Sequence, residues 1–132
     1  MLFAEDLQRV TWRCVHFVSP GDESAVRARL EGSDLQVFEI QGSSIETQEH
    51  LFSALAKAMR FPDYFGMNWD ALDECLRDME WLPAKGYALF FRDSGRVWKQ
   101  ATQMMGAFLE SWLLAAEEWS REGVPFHVVF VW

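Results

Sequence analysis

Asp70, Asp73, Glu74 and Asp78 lie within nine residues of one another, and Arg77 is the only cation among them. Paired carboxylates perform general acid–base chemistry, as in glycoside hydrolysis, when they face each other across a cleft and an apolar setting raises one pKa. Asp70 and Glu74 are four residues apart and share a helix face, and no companion acid in an apolar setting stands out. Carboxylate oxygens also ligate divalent cations, but no EF-hand loop or alternating Asp/Asn–Gly spacing surrounds these four. His16, His50 and His127 show no HxxxH or His/Cys ligand spacing, so each is expected to be an ordinary surface or strand residue. Cys75 falls on the apolar side of its helix, where a thiol is buried and inert. No GxSxG, Walker-type or GxGxxG sequence occurs. Neither an enzyme, a metal site nor a cofactor is expected. Two uses remain for the carboxylates: a solvated helix face, or recognition of a positively charged partner.

The elements that carry these residues bear on that choice. At about 100° per residue, Ala71, Leu72, Cys75, Leu76 and Met79 fall on one side of a short helix and the four carboxylates on the other. Like charges one turn apart destabilise a helix by about 0.2–0.5 kcal/mol per pair. A surface that accepts this cost repeatedly looks built to meet something positive. Before the helix, Phe61-Pro62-Asp63-Tyr64-Phe65-Gly66-Met67 shapes a loop rich in aromatics. Gly66 is expected to hold a positive φ, and Asn68 to cap the helix. Tyr64, an aromatic ring with a hydroxyl, is placed to anchor an interface. Asp70 gains from the helix dipole in the first turn; Asp73, Glu74 and Asp78 have progressively less structural reason to be acidic.

At 132 residues the chain is expected to be one domain with a sizeable core. Half of it is hydrophobic, and seven Trp with eleven Phe predict an aromatic interior with some rings left on the surface. A net charge of −8 argues against direct contact with nucleic acid, which demands Lys and Arg, and against an anionic membrane. A basic protein is the natural partner. Met1-Leu2-Phe3-Ala4-Glu5-Asp6 has no basic region, long apolar run or small-residue cleavage pattern, so no signal peptide is expected. The expected compartment is the cytoplasm, with Cys14 and Cys75 as reduced, buried thiols rather than a bridge.

Along the chain, Trp12 to Val18 reads as a strand ended by Pro20-Gly21. Asp22 caps a helix to Leu30, with Gly32 just past its end. Leu35 to Ile40 is a second strand. Ser43-Ser44-Ile45-Glu46 reads as a capping box opening a helix that presents Leu51, Phe52, Leu55, Ala58 and Met59 and stops at Phe61-Pro62. Gly86 precedes Tyr87 to Phe91, an apolar run suited to a strand buried on both faces. One long helix is expected from about Val97 to Arg121, followed by Gly123, and a last strand after Pro125. Strands separated by helices mean crossover connections, hence an α/β fold with a small, mainly parallel sheet and helices packed against it.

The loop and acidic helix resemble a known family. Phe61, Pro62, Tyr64, Phe65, Gly66, Asn68, Asp70, Ala71, Leu72, Cys75 and Leu76 match the pattern F-P-x-Y-[FY]-G-x-N-x-D-A-L-x-x-C-L of the barstar family, small intracellular inhibitors of secreted ribonucleases. The resemblance runs, more loosely, from about Leu35 to the C-terminus. It implies a barstar-like core over residues 35–132 preceded by an N-terminal strand-helix extension over 1–34, as in longer bacterial barstar-like relatives.

The resemblance further implies that the loop and helix plug the active site of a basic ribonuclease, carboxylates standing where RNA phosphates would lie. Carried over, the binding positions are Tyr64, Gly66, Asn68, Asp70 and Glu74. Glu118 joins them from the long helix, by counting back from Glu122-Gly123. Glu74 stands in place of an aspartate, Asp73 in place of a tryptophan, and Asp78 and Met79 in place of a glycine and a second tryptophan. These departures remove aromatic area and add two charges, so Asp73 and Asp78 are counted with the partner-binding residues. The expected function is inhibition of a basic ribonuclease or ribonuclease toxin, as an immunity protein that is monomeric when free. The alternative is a regulatory binding module for a different basic protein.

Overall fold

The computed structural model describes residues 2–11 and 13–132. In chain order it contains α1 (Ala4–Leu7), β1 (Val15–Val18), α2 (Pro20–Leu30), β2 (Leu35–Gln41), α3 (Gln48–Met59), α4 (Trp69–Asp78), β3 (Gly86–Arg92), α5 (Ser94–Gln100), α6 (Thr102–Arg121) and β4 (Phe126–Val131). Strands β3 and β4, buried along almost their whole lengths, form the middle of a four-stranded sheet of order β1-β4-β3-β2. Every pairing is parallel, with Val15 opposite Val128, Leu89 opposite Val128, and Phe38 opposite Leu89.

Topology explains why both central strands are apolar on both faces. The connection from β1 to β2 crosses the whole sheet one way, whereas β2 to β3 and β3 to β4 step back the other way. Right-handed crossovers running in opposite senses must lie on opposite faces. One face accordingly carries α3, α4 and α6, whose Leu51, Phe52, Leu55, Leu72, Leu76, Phe108 and Trp112 meet Tyr87, Leu89, Phe91, Val128 and Phe130. On the other face Ala4, Leu7, Val26 and Leu30 of α1 and α2 cover Ala88, Phe90, Val129 and Val131.

Several boundaries differ from the sequence expectation, each for a local reason. β1 begins at Val15; Trp12, with which the sequence pattern opens this strand, lies outside the described residues. α2 starts at Pro20, with Ser19 rather than Asp22 at its N-cap, because proline is tolerated where a helix has no use for the amide. Ser43 and Glu46 do not open α3. Gly42–Ser44 makes a single 3₁₀ turn, and Thr47 Oγ1 caps α3 by accepting from the His50 amide at 3.2 Å. The long C-terminal helix is two helices: Ala101 leaves the helical region, and the Thr102 hydroxyl donates to the Trp98 carbonyl at 2.7 Å. α1, a single short turn, carried no sequence signal.

His16 and His127 are not ordinary strand residues either. Their ring nitrogens, Nε2 of His16 and Nδ1 of His127, lie 2.9 Å apart, and Nε2 of His127 lies 2.8 Å from the Arg9 carbonyl. That carbonyl only accepts, so His127 carries its proton on Nε2, and His16 must donate from its own Nε2 to Nδ1 of His127. The pair ties the buried strand β4 to β1 and to the chain between α1 and β1. Burial lowers the pKa of His127. Burial, with His127 adding to it, lowers that of His16 to about 4.

Candidate partner-binding site

α4 forms where its sequence places it because both ends are closed. Asn68 Oδ1 accepts from the Ala71 amide at 2.8 Å, as an N-cap should, and Met79 ends the helix in the left-handed region with its side chain buried. Leu72, Cys75 and Leu76 are the buried stripe. Two tryptophans clamp the helix to its neighbours. Trp69 donates to Gln48 Oε1 of α3 at 2.9 Å and stands edge-on to Phe52, centroids 4.9 Å apart. Trp119 of α6 donates to the Leu76 carbonyl at 2.8 Å.

The preceding loop is folded onto itself. The Phe65 amide donates to the Pro62 carbonyl at 3.0 Å. Phe65 packs edge-on against Phe61 and Phe52, and Asn68 Nδ2 donates to the Gly66 carbonyl at 3.2 Å. Gly66 does not hold a positive φ; Met67, with φ 54°, does. The glycine matters for space instead, since a Cβ there would lie 3.1 Å from Asn68 Nδ2 and press on the cap.

Tyr64, Gly66, Asn68, Asp70 and Glu74 are all exposed, whereas Asp73 and Asp78 are half-buried. Asp70 and Glu74, one turn apart, share the outward crest of α4. Asp73 and Asp78 lie on opposite flanks, about 140° apart around the axis. Tyr64 is 68% exposed, yet its hydroxyl end lies towards α4. Local desolvation there, then the negative charge of Asp78 and its hydrogen bond, push the tyrosine pKa up. Burial first, then Asp78 and Glu74, raise the pKa of Cys75 and keep its thiol protonated. Among the described residues no cation reaches ion-pair distance of Asp70, Asp73, Glu74 or Asp78. Arg77 instead donates from Nε to the Asp73 carbonyl at 3.1 Å. Oδ1 of Asp73 is buried with no hydrogen-bond partner among the described residues.

Glu118 stands apart from this group. It sits beside Trp119 on α6, but its carboxylate pairs with Arg121 at 3.3 Å, and no hydrogen bond or ion pair joins it to α4 among the described residues. Met67, which sequence reasoning left out, is 40% exposed within the same loop. Nothing in its residue type signals a left-handed backbone.

The arrangement offers an exposed, negatively charged helix crest with one aromatic residue, Tyr64, beside it. Among the described residues no group of three or more His, Cys, Asp or Glu is placed to hold a metal ion. No helix among them is long and apolar enough to cross a membrane. The family model described as "Barstar (barnase inhibitor)" matches residues 35–131, from the first residue of β2 to the last of β4. No match was found among curated proteins.

Proposed function

Since this chain belongs to the barstar family, we propose that it inhibits a basic ribonuclease by laying the loop 61–68 and the outward face of α4 over the enzyme's active site. Asp70 and Glu74 on the crest, with Asp73 and Asp78 on the flanks, take the place of RNA phosphates opposite the enzyme's cationic groups. What supports this reading above all is that none of the four carboxylates is ion-paired among the described residues, although Arg77 is on the same helix. The cap at Asn68 and the two tryptophan clamps fix the surface before binding, which lowers the ordering cost on association. Tyr64 and Gly66 form the rim on one side. Glu118 enters only after leaving Arg121.

In this reading the protein is cytoplasmic, monomeric when free, and protects a bacterial cell from a ribonuclease toxin. Residues 1–34 act with 35–132 as one domain, because α1 and α2 cover apolar residues of β3 and β4 that would otherwise face water. The test is titration of the protein into a panel of basic bacterial ribonucleases while RNA cleavage is followed at low and high salt. Stoichiometric inhibition that weakens with salt is expected. Asp70→Ala with Glu74→Ala should weaken it about 100-fold or more. Unchanged inhibition by the double variant would move the site elsewhere, and no inhibition by the wild-type chain would contradict the function.

A further inference from the structure

We propose that Met67 is the apolar anchor of this surface, seated in a hydrophobic notch beside the cationic cleft of the ribonuclease; this rests on the inhibitor reading above. Four described residues other than glycine hold a positive φ: Arg60, Met67, Met79 and Asp93. Three have evident structural uses. Arg60 and Met79 terminate α3 and α4, and Asp93 is the N-cap residue of α5. Met79 is also fully buried, so packing offsets its strain. Met67 has neither excuse. It terminates no helix, sits immediately before the N-cap of α4, and leaves 40% of its surface in water. A glycine would adopt this backbone without strain. Strain kept by a large apolar side chain that the free protein does not bury points to a use outside the chain.

The loop holds that side chain in a defined place. Met67 lies between Gly66 and Asn68, which are hydrogen-bonded to each other across it at 3.2 Å. The neighbouring rings of Phe61 and Phe65 are turned into contacts with Phe52 and Trp81, leaving Tyr64 and Met67 as the exposed large apolar side chains of the segment 61–68. An interface whose charged crest meets cations still needs an apolar centre, and methionine, unbranched and polarizable, moulds to one. Met67 adjoins the acidic crest in sequence through Asn68 and Trp69, so the same partner that satisfies Asp70 covers it.

The test compares Met67→Gly, Met67→Ala and Met67→Leu with the wild-type chain in thermal melting and in inhibition of the most sensitive ribonuclease of the panel. Met67→Gly should melt higher, because its backbone is relaxed, yet inhibit about tenfold more weakly or worse. Met67→Ala should also lose about tenfold, and Met67→Leu should stay close to wild type. A Met67→Gly variant that melts higher and inhibits as tightly as wild type overturns the anchor while leaving the inhibitor reading in place. Full inhibition by Met67→Ala also overturns it, assigning any loss in the glycine variant to loop freedom. A wild-type chain that inhibits no ribonuclease overturns both.

Discussion

On the second face of the sheet, Glu23, Arg27, Glu39 and Arg92 hold one another. Arg92 reaches Glu23 at 3.2 Å and Glu39 at 3.1 Å, Arg27 pairs with Glu39 and lies 3.6 Å from Glu23, and Gln41 donates to Glu39 at 2.8 Å. Arg27 also lies over the ring of Phe90. On α4 four carboxylates share one helix with an arginine, and among the described residues none is ion-paired. The first cluster docks α2 against β2 and β3, and charge that serves the fold is matched within the chain, because an uncompensated buried ion is costly. The second cluster repels itself along its helix. The helix dipole offsets Asp70 and the Tyr64 hydroxyl offsets Asp78, but among the described residues no cation is paired to any of the four. In the inhibitor reading proposed above, that unmatched charge meets a basic ribonuclease.

The contrast breaks most visibly if the two clusters are neutralised in turn. Removing Asp70 and Glu74 should abolish most inhibition, by about 100-fold or more, and leave chemical denaturation unchanged or slightly shifted towards greater stability, because repulsion on α4 is relieved. Glu23→Ala should do the opposite. Glu23 is almost fully buried, and its loss leaves two guanidiniums with only Glu39. The Arg27 and Arg92 side chains are 34% and 40% exposed, so solvent screens part of the effect and a loss of about 2 kcal/mol in urea unfolding is expected. Inhibition measured well below the melting point should stay at the wild-type level.

Acid should act through the His16–His127 pair that joins β1 to β4. His16 titrates near 4 in the folded protein against 6.5 for an unperturbed imidazole, so the unfolded chain takes up its proton first. Stability is therefore complete above about pH 6.5, declines as pH falls, and levels off below about 4. The loss is on the order of 2 kcal/mol after allowance for partial exposure. His16→Gln keeps a donor for His127 Nδ1 without titrating, and should reduce the slope of urea-unfolding stability between pH 5 and 6.5; the slope that remains comes from His127, whose pKa burial also lowers. Glu39 does not confuse that window. Burial works to raise its pKa, but hydrogen bonds from Arg27 and Arg92 outweigh it, so its contribution is lost only at lower pH.

The smallest effect joins the two regions' themes of support and display. Asn68→Ala removes the acceptor of the Ala71 amide and should cost about 1 kcal/mol in unfolding free energy. Because the same side chain holds the Gly66 carbonyl, inhibition should weaken as well, which a purely structural cap far from the interface would not do.

Much of this was legible in the residues themselves. The apolar run Tyr87 to Phe91 announced a strand covered on both sides, and the crossovers between strands made the sheet parallel. The acidic crest of α4 and its Asn68 cap followed from helical period and capping chemistry alone. Other features depend on contacts between distant residues. Thr102 diverts the Trp98 carbonyl, which splits a pattern that reads as one helix. His16 and His127 are 111 residues apart and meet only because β1 adds to the sheet beside β4. The positive φ falls on Met67 rather than Gly66, and no residue type encodes that. Glu118 occupies a helix that reaches α4, but Arg121, three residues on, takes up its carboxylate.

The most direct measurement is inhibition of RNA cleavage by the near-isosteric variant Asp70→Asn with Glu74→Gln, alongside its melting temperature. Charge is removed while shape and hydrogen-bonding reach are largely kept. If the unpaired carboxylates are what the ribonuclease binds, the variant melts no lower than wild type and inhibits about 100-fold more weakly, with a reduced dependence on salt. A variant that inhibits as tightly as wild type, with the same salt dependence, would show that the charges of α4 do not recognise the enzyme.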